Sequence, residues 1–401
     1  MSEPPVTDLP APPGLPELPE VGTATAEDIA EVARDTSGGT MSLGARLRQP
    51  RTILSIAIPV IMLVLIFRVA LNIDVNKLIA SVADANKLLL LAALVVFYLG
   101  FPLRGLRWKM LLRGTGFRIQ VKDSTEILFL SWLVNCLVPA KLGDVYRAYL
   151  LKINSAAASL SRTFGTVFIE RILDLFAIAI LGLAAGFWSF RSGFPPEIQF
   201  VAALGVGVVV VLAVLLLSMR NFGRVIITRL PLPHRVVELY DKFEEGVFGA
   251  VAARALPKLI IITGLIWATE GMRLWLVVLA LHLPDVSLGI SGAFFVALIG
   301  SLLTAVPLSP AGLGVVELGV VGVMVAAYGI PLQEATTIAL VDRMISVFSI
   351  IVFGSILYLF SSLRRGRGLA PGSGPIENTG SAGSPGSAAG AAGSAEGAAP
   401  A

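Results

Sequence analysis

Apolar residues run almost unbroken through six stretches of the chain, 52–70, 88–106, 163–188, 199–218, 258–281 and 335–360, each bounded by charged residues. A helix crosses a hydrocarbon layer of ~30 Å with about 20 residues at ~1.5 Å each, so each stretch predicts a spanning helix. Three shorter apolar stretches, 124–140, 291–308 and 313–329, fall below that length, and the first two end in prolines (Pro139, Pro307, Pro310). Short, proline-ended segments predict re-entrant limbs, which are tolerated where they are buried in protein or line a cavity.

Basic residues orient these elements. Arg46, Arg48 and Arg51 precede the first stretch, and six basic residues from Arg104 to Lys122 follow the second. Lys141, Arg147, Lys152 and Arg162 follow 124–140, and Arg364, Arg365 and Arg367 close the last stretch. The connections 282–290 and 329–334 carry no Lys or Arg, whereas 219–258 carries seven. The positive-inside bias then places both termini, and both flanks of 124–140, in the cytoplasm. The expected fold is an all-α polytopic membrane protein of about six full spans plus two re-entrant hairpins, seated in the plasma membrane. Residues 1–45 and 364–401 read as disordered tails around a membrane domain at 46–363, because Pro/Ala-rich and Gly/Ser/Ala-rich stretches bury too little apolar surface to offset ordering.

An internal repeat is visible in the letters. P-A-K-L-G-D-V-Y from Pro139 matches P-A-G-L-G-V-V-E from Pro310, and I-E-R-I-L-D-L-F-A-I from Ile169 matches V-D-R-M-I-S-V-F-S-I from Val341. G-L-R-W from Gly105 also resembles G-M-R-L-W from Gly271. The expected topology runs the two copies in opposite directions, and an inverted repeat with broken elements points to a binding site near the midplane.

Composition narrows the class. The 401 residues are 55% hydrophobic and 14% charged, with a mean hydropathy of +0.83. A soluble domain carries roughly 25% charge, so an ordinary soluble enzyme, a nucleic-acid binder and a disordered regulator are excluded. Cys136 is the single cysteine, which rules out an intramolecular disulfide, and His234 and His282 form no metal motif. No phosphate-binding loop, H-E-x-x-H or G-x-S-x-G occurs. The expectation is a chain without enzymatic activity, cofactor or metal. Arg outnumbers Lys and Ala and Gly are plentiful, which points to a bacterium of high GC content.

Charges inside spans carry the functional information, since each costs ~2.5–3.5 kcal/mol unless paired or hydrated. Glu170, Arg171 and Asp174 lie in 163–188, Glu270 and Arg273 in 258–281, Asp342 and Arg343 in 335–360, and Glu317 in the last short limb. Thr163, Thr166, Glu170 and Asp174 share one helical face. Two readings stay open: ion pairs that fix helix packing, or the lining of a hydrated cavity for a charged headgroup. Arg104 and Arg107 fit positive-inside anchoring better. The hairpin tips add Asn135, Pro139, Lys141, Asp144 and Arg147, then Ser309, Pro310 and Gly312. Broken backbone there can meet a ligand, although turn geometry alone also selects Pro and Gly.

These segments resemble the lysylphosphatidylglycerol synthase transmembrane region, a flippase-like family, across about 50–360. The resemblance rests on R-G-L-R-W-K-M-L-L from Arg104 and N-C-L-V-P-A-K-L-G-D-V-Y-R-A-Y-L-L from Asn135. It continues through T-V-F-I-E-R-I-L-D-L from Thr166, P-L-S-P-A-G-L-G-V-V-E from Pro307 and V-D-R-M-I-S from Val341. It implies a membrane protein that moves a lipid between leaflets, with an anionic phospholipid or a polyprenyl-phosphate lipid as partner, envelope-biosynthesis enzymes nearby, and no nucleic acid. The family's name-giving enzymes carry a further soluble transferase domain. The Gly/Ser/Ala tail stands in its place here, so lysyl transfer is not expected. Rival expectations are a membrane transferase using a polyprenyl-phosphate donor, with Asp74 or Asp84 as base, and a non-catalytic envelope scaffold.

Overall fold

The computed structural model describes residues 74–138, 141–191, scattered positions within 199–218, and then 234–251, 254–304 and 310–376. The first expected span (52–70), most of the fourth, the N-terminal tail and the C-terminal tail beyond residue 376 lie outside the described residues.

The described chain is helical apart from one two-residue β bridge. A short helix α1 (Val75–Asp84) is capped by Asp74, whose carboxylate accepts from the Asn76 and Lys77 amides. Asn86 caps α2 (Lys87–Gly114) in the same way. After β1 (Phe117–Arg118) come α3 (Val121–Leu137), α4 (Leu142–Asn154) and α5 (Leu160–Ser189). Then follow α6 (His234–Ala250), α7 (Leu256–Leu281), α8 (Ile290–Leu303) and α9 (Val315–Tyr328). Helix α10 (Leu332–Arg343) runs through a π turn at Met344–Phe348 into α11 (Ser349–Phe360).

Among the described residues, three helices can cross a bilayer by length and composition: α2, α7 and the continuous 332–360 helix, with 28, 26 and 29 residues. Helix α5 is longer, at 30 residues, but carries the Glu170, Arg171 and Asp174 charges. The outward faces confirm the setting. On α2 the outer face is Leu88, Leu91, Val95 and Leu99, with Leu88 77% exposed, while Arg104 and Arg107 are 4% and 1% exposed. Charge inside and hydrocarbon outside inverts the soluble pattern and suits a lipid environment.

Helices α2 and α7 pack along much of their length at the centre. Two helical hairpins flank them. In the first, α3 and α4 pair across a break at 138–141, where the Ser131 hydroxyl donates to the Gly143 carbonyl at 2.7 Å and the Gly143 amide to Asn135 Oδ1 at 2.8 Å. A Cβ on Gly143 would fall 2.0 Å from the Ser131 carbonyl oxygen, so this approach demands glycine. In the second, α8 and α9 pair across 304–314. Helix α6 lies on α5, with Gly165 against Gly246 and Arg162 paired to Glu245 at 2.7 Å.

Two sequence expectations shift. The second limb of the first hairpin is a helix at 142–154, which apolar counting misses because Asp144 and Arg147 are buried in ion pairs. Residues 366–376, assigned by composition to the C-terminal tail, lie on the base of that hairpin. Asn154 Nδ2 donates to the Leu363 carbonyl (2.6 Å), the Ala370 amide to Asp123 (2.8 Å), and β2 (Gly374–Pro375) pairs with β1. Glycine-rich backbone reaches these acceptors without side chains in the way.

Candidate functional site

The centre of the bundle holds a cavity of about 180 Å³. All eight intramembrane charges of the sequence reading line it: Glu170, Arg171, Asp174, Glu270, Arg273, Glu317, Asp342 and Arg343. Of the tip residues, Asn135, Lys141 and Gly312 line it too. Asp144 and Arg147 stand just behind, bonded to lining residues. Pro139 and Ser309 lie outside the described residues, as does the side chain of Pro310.

Helix α5 supplies the acids of one wall, because Glu170 and Asp174 are one turn apart on its buried face. Arg107 of α2 grips both. Its Nη1 and Nη2 reach Asp174 at 2.5 and 3.0 Å, and Nη2 reaches Glu170 Oε1 at 3.0 Å. Arg147 of α4 takes Glu170 Oε2 at 2.9 Å, and the Trp267 indole of α7 donates to Asp174 at 3.1 Å. Arg171, on the neighbouring face, forks onto Asp144 at 2.7 and 3.1 Å. Planar guanidinium–carboxylate forks of this kind combine charge with fixed geometry.

The other wall repeats the scheme. Arg273 of α7 forks onto Asp342 at 2.7 and 3.0 Å and also pairs with Glu270. Arg343 meets Glu317 at 2.8 Å, and the second Glu317 oxygen accepts from the Gly314 amide at 2.6 Å, capping α9. The repeat letters align Arg107 with Arg273, Glu170 with Asp342 and Arg171 with Arg343. The bonding scheme repeats too, although the hairpin acids are out of register, Asp144 falling opposite Val315 and Glu317 opposite Tyr146. In each half the first long helix sends an arginine to the acid of the Glu/Asp-Arg pair, and that pair's arginine bonds an acid on the hairpin's second limb.

Arg104 and Arg107 need a correction. Both are buried in ion pairs, and neither is an interfacial anchor: Arg104 Nη2 binds Glu270 at 2.6 Å, with its guanidinium 4.8 Å from the Trp132 ring centroid. Helix α2 continues to Gly114, two turns beyond the expected end, so both arginines sit inside it. The signal was present in the repeat, where Arg107 stands opposite Arg273. The face expected to run from Thr163 to Asp174 is buried throughout, but Thr163 and Thr166 spend their hydroxyls on the backbone, and Thr166 also accepts from Trp108. Asp74 is used as a helix cap, and neither it nor Asp84 lines the cavity.

A helical, lipid-facing unit around a buried ionic cavity defines an integral membrane protein with an internal polar site. The chain belongs to the lysylphosphatidylglycerol synthase transmembrane region family, whose model matches residues 52–354. A UPF0104 membrane protein of Methanocaldococcus jannaschii is 39% identical over 227 residues, which are 56% of this chain and 92% of that protein. The glycosyltransferase AglD of Haloferax volcanii is 30% identical over 329 residues, 73% of this chain and 52% of AglD, so the match spans about half of that relative. A UPF0104 membrane protein of Methanothermobacter thermautotrophicus is 27% identical over 310 residues, 73% of this chain and 88% of that protein.

These relatives overturn one expectation. A family described by a synthase, with a named glycosyltransferase among the relatives, removes the ground for reading the chain as a non-enzyme. Soluble-enzyme motifs were the wrong test for chemistry on lipid-linked groups at a membrane. The relatives are archaeal, so a bacterial source rests on composition alone.

Proposed function

We propose that this protein admits the polar headgroup of a membrane lipid into the central cavity and carries it between leaflets, with the tails left in the bilayer. The carrying observation is the cavity itself, lined by paired charges inside a unit whose outer face is apolar. The eight lining charges and the two hairpin tips would contact the headgroup. An anionic phospholipid or a polyprenyl-phosphate lipid fits this lining.

The proposed topology is six spans with two re-entrant hairpins, opposed across the membrane, at the plasma membrane with both termini cytoplasmic. Limb lengths support it: α3, α4, α8 and α9 have 17, 13, 14 and 14 residues, and about 20 are needed to cross. Envelope-biosynthesis enzymes are the partners we would expect for such cargo.

The likeness to AglD favours a second reading, in which the same cavity presents a lipid-linked group for transfer. One experiment separates the two. Purified protein is placed in liposomes with headgroup-labelled lipid, the outer leaflet is quenched, and recovered lipid is weighed by mass spectrometry. Loss of protected label with unchanged lipid mass supports translocation. A new lipid product supports transfer, and neither outcome sinks both readings.

A further inference from the structure

Resting on the reading that a headgroup enters this cavity, we propose that its anchor point is Lys141 and that the cavity selects a singly charged phosphodiester anion. Lys141 closes the first hairpin tip with φ 52° and ψ 37°, in the left-handed region that L side chains rarely adopt. The repeat places Gly312, φ 71°, at the same position of the second tip, where glycine meets that backbone demand without strain. Turn geometry alone would select glycine in both. The first repeat instead holds a cation there, and strain kept at a cavity wall marks a functional group.

The unused bonding capacity around the cavity is mostly donor. The Lys141 ammonium forms no hydrogen bond or ion pair among the described residues. Nη1 of Arg104, a residue 4% exposed, and Nη2 of Arg343 are buried without acceptors. On the acceptor side, both carboxylate oxygens of Glu170, Asp174, Glu270 and Asp342 already take a bond. Glu317 Oε2 takes the Gly314 amide, while Oε1 makes no hydrogen bond and stands 2.8 Å from Arg343 Nε as an ion pair. A cationic headgroup would find a single carboxylate oxygen without a hydrogen bond, already held by the Arg343 ion pair, whereas an oxyanion would satisfy the guanidinium donors that are otherwise buried unpaired.

The charge count sets the valence. Six cations (Arg104, Arg107, Lys141, Arg171, Arg273, Arg343) and five carboxylates line the cavity. One negative charge balances that excess, which a phosphodiester carries. A phosphomonoester, at about −1.5 to −2, overshoots it.

The test uses the full chain in nanodiscs of equal phosphatidylglycerol and phosphatidylcholine, with retained lipid read by native mass spectrometry. Wild type should retain phosphatidylglycerol over phosphatidylcholine by roughly tenfold, as one charge-assisted bond allows. Lys141→Gly removes the cation while relieving the backbone, so it should fold as well as wild type and bring the ratio near unity. Lys141→Gln is the matched-length check, and Lys122→Gln, an exposed residue away from the cavity, should keep the wild-type ratio. Inorganic phosphate that displaces the retained lipid identifies a site that also reads the free anion; no displacement identifies a lipid-borne one. An unchanged ratio in folded Lys141→Gly that still moves lipid overturns the anchor and leaves translocation standing. Wild type that neither retains nor moves lipid overturns the underlying reading instead.

Discussion

Arg104 Nη2 and Glu270 Oε1 stand 2.6 Å apart, and the two residues occupy equivalent positions in the two repeats, each directly preceding the aligned Gly105 and Gly271. The two aligned positions thus meet where α2 and α7 lie against each other. Identical residues at such a site would set like charges in contact. The chain resolves this with opposite charges, one from each half.

That relationship is testable by exchange. Arg104→Gln or Glu270→Gln leaves one buried charge without its partner and should cost ~3–5 kcal/mol of stability. The exchange Arg104→Glu with Glu270→Arg keeps the pair between α2 and α7 and should recover part of the loss, measured by thermal unfolding in detergent. A double variant no more stable than either single one would refute the coupling of the two positions.

The lining charges should differ in what they hold. Glu170 anchors both Arg107 and Arg147, so Glu170→Gln should lower the melting temperature by an amount matching ~3–5 kcal/mol. Arg343 meets only Glu317, whose other oxygen keeps the Gly314 amide, so Arg343→Gln should cost less than half as much. Equal losses would show that the two walls are not built differently.

Much of this site was legible beforehand, for one physical reason: a charge inside an apolar run is too costly to be idle, so Glu170, Glu270 and Asp342 stood out. Arg104 and Arg107 were misread because R-W-K-M-L-L-R after Leu106 looks like an interface, whereas α2 continues through it. Helix α4 was invisible to hydrophobic periodicity since its buried side includes Arg147 and Asn154, polar groups that bond to distant segments. The partners of each charge needed the fold, although the repeat had already matched Arg107 with Arg273.

The first hairpin depends on a backbone contact. Gly143→Ala would push a methyl group onto the Ser131 carbonyl, only 2.0 Å away. Overpacking of this kind costs about 1–3 kcal/mol or more. The expected outcome is a lower melting temperature together with loss of lipid retention, because α3 and α4 must part. A variant with wild-type melting would mean that the limbs are not so closely joined.

Topology has its own measurement. Cys136 is buried, 6% exposed, so the wild-type chain should resist impermeant thiol reagents. Cysteines introduced at Lys122 and Lys152, at the two ends of the first hairpin, should both react from the cytoplasm alone. Reaction from opposite sides would show that the hairpin crosses the membrane.

The central claim is that lipid passes through the cavity, and plugging it is the direct measurement. Ser301 lines the cavity from α8 and carries no charge, so Ser301→Trp fills space while every ion pair stays in place. In liposomes with a headgroup-labelled anionic lipid and an outer-leaflet quencher, the folded variant should lose at least roughly 90% of the wild-type rate, the tenfold effect of about 1.4 kcal/mol on the barrier. A folded Ser301→Trp protein that moves lipid at the wild-type rate would contradict the account.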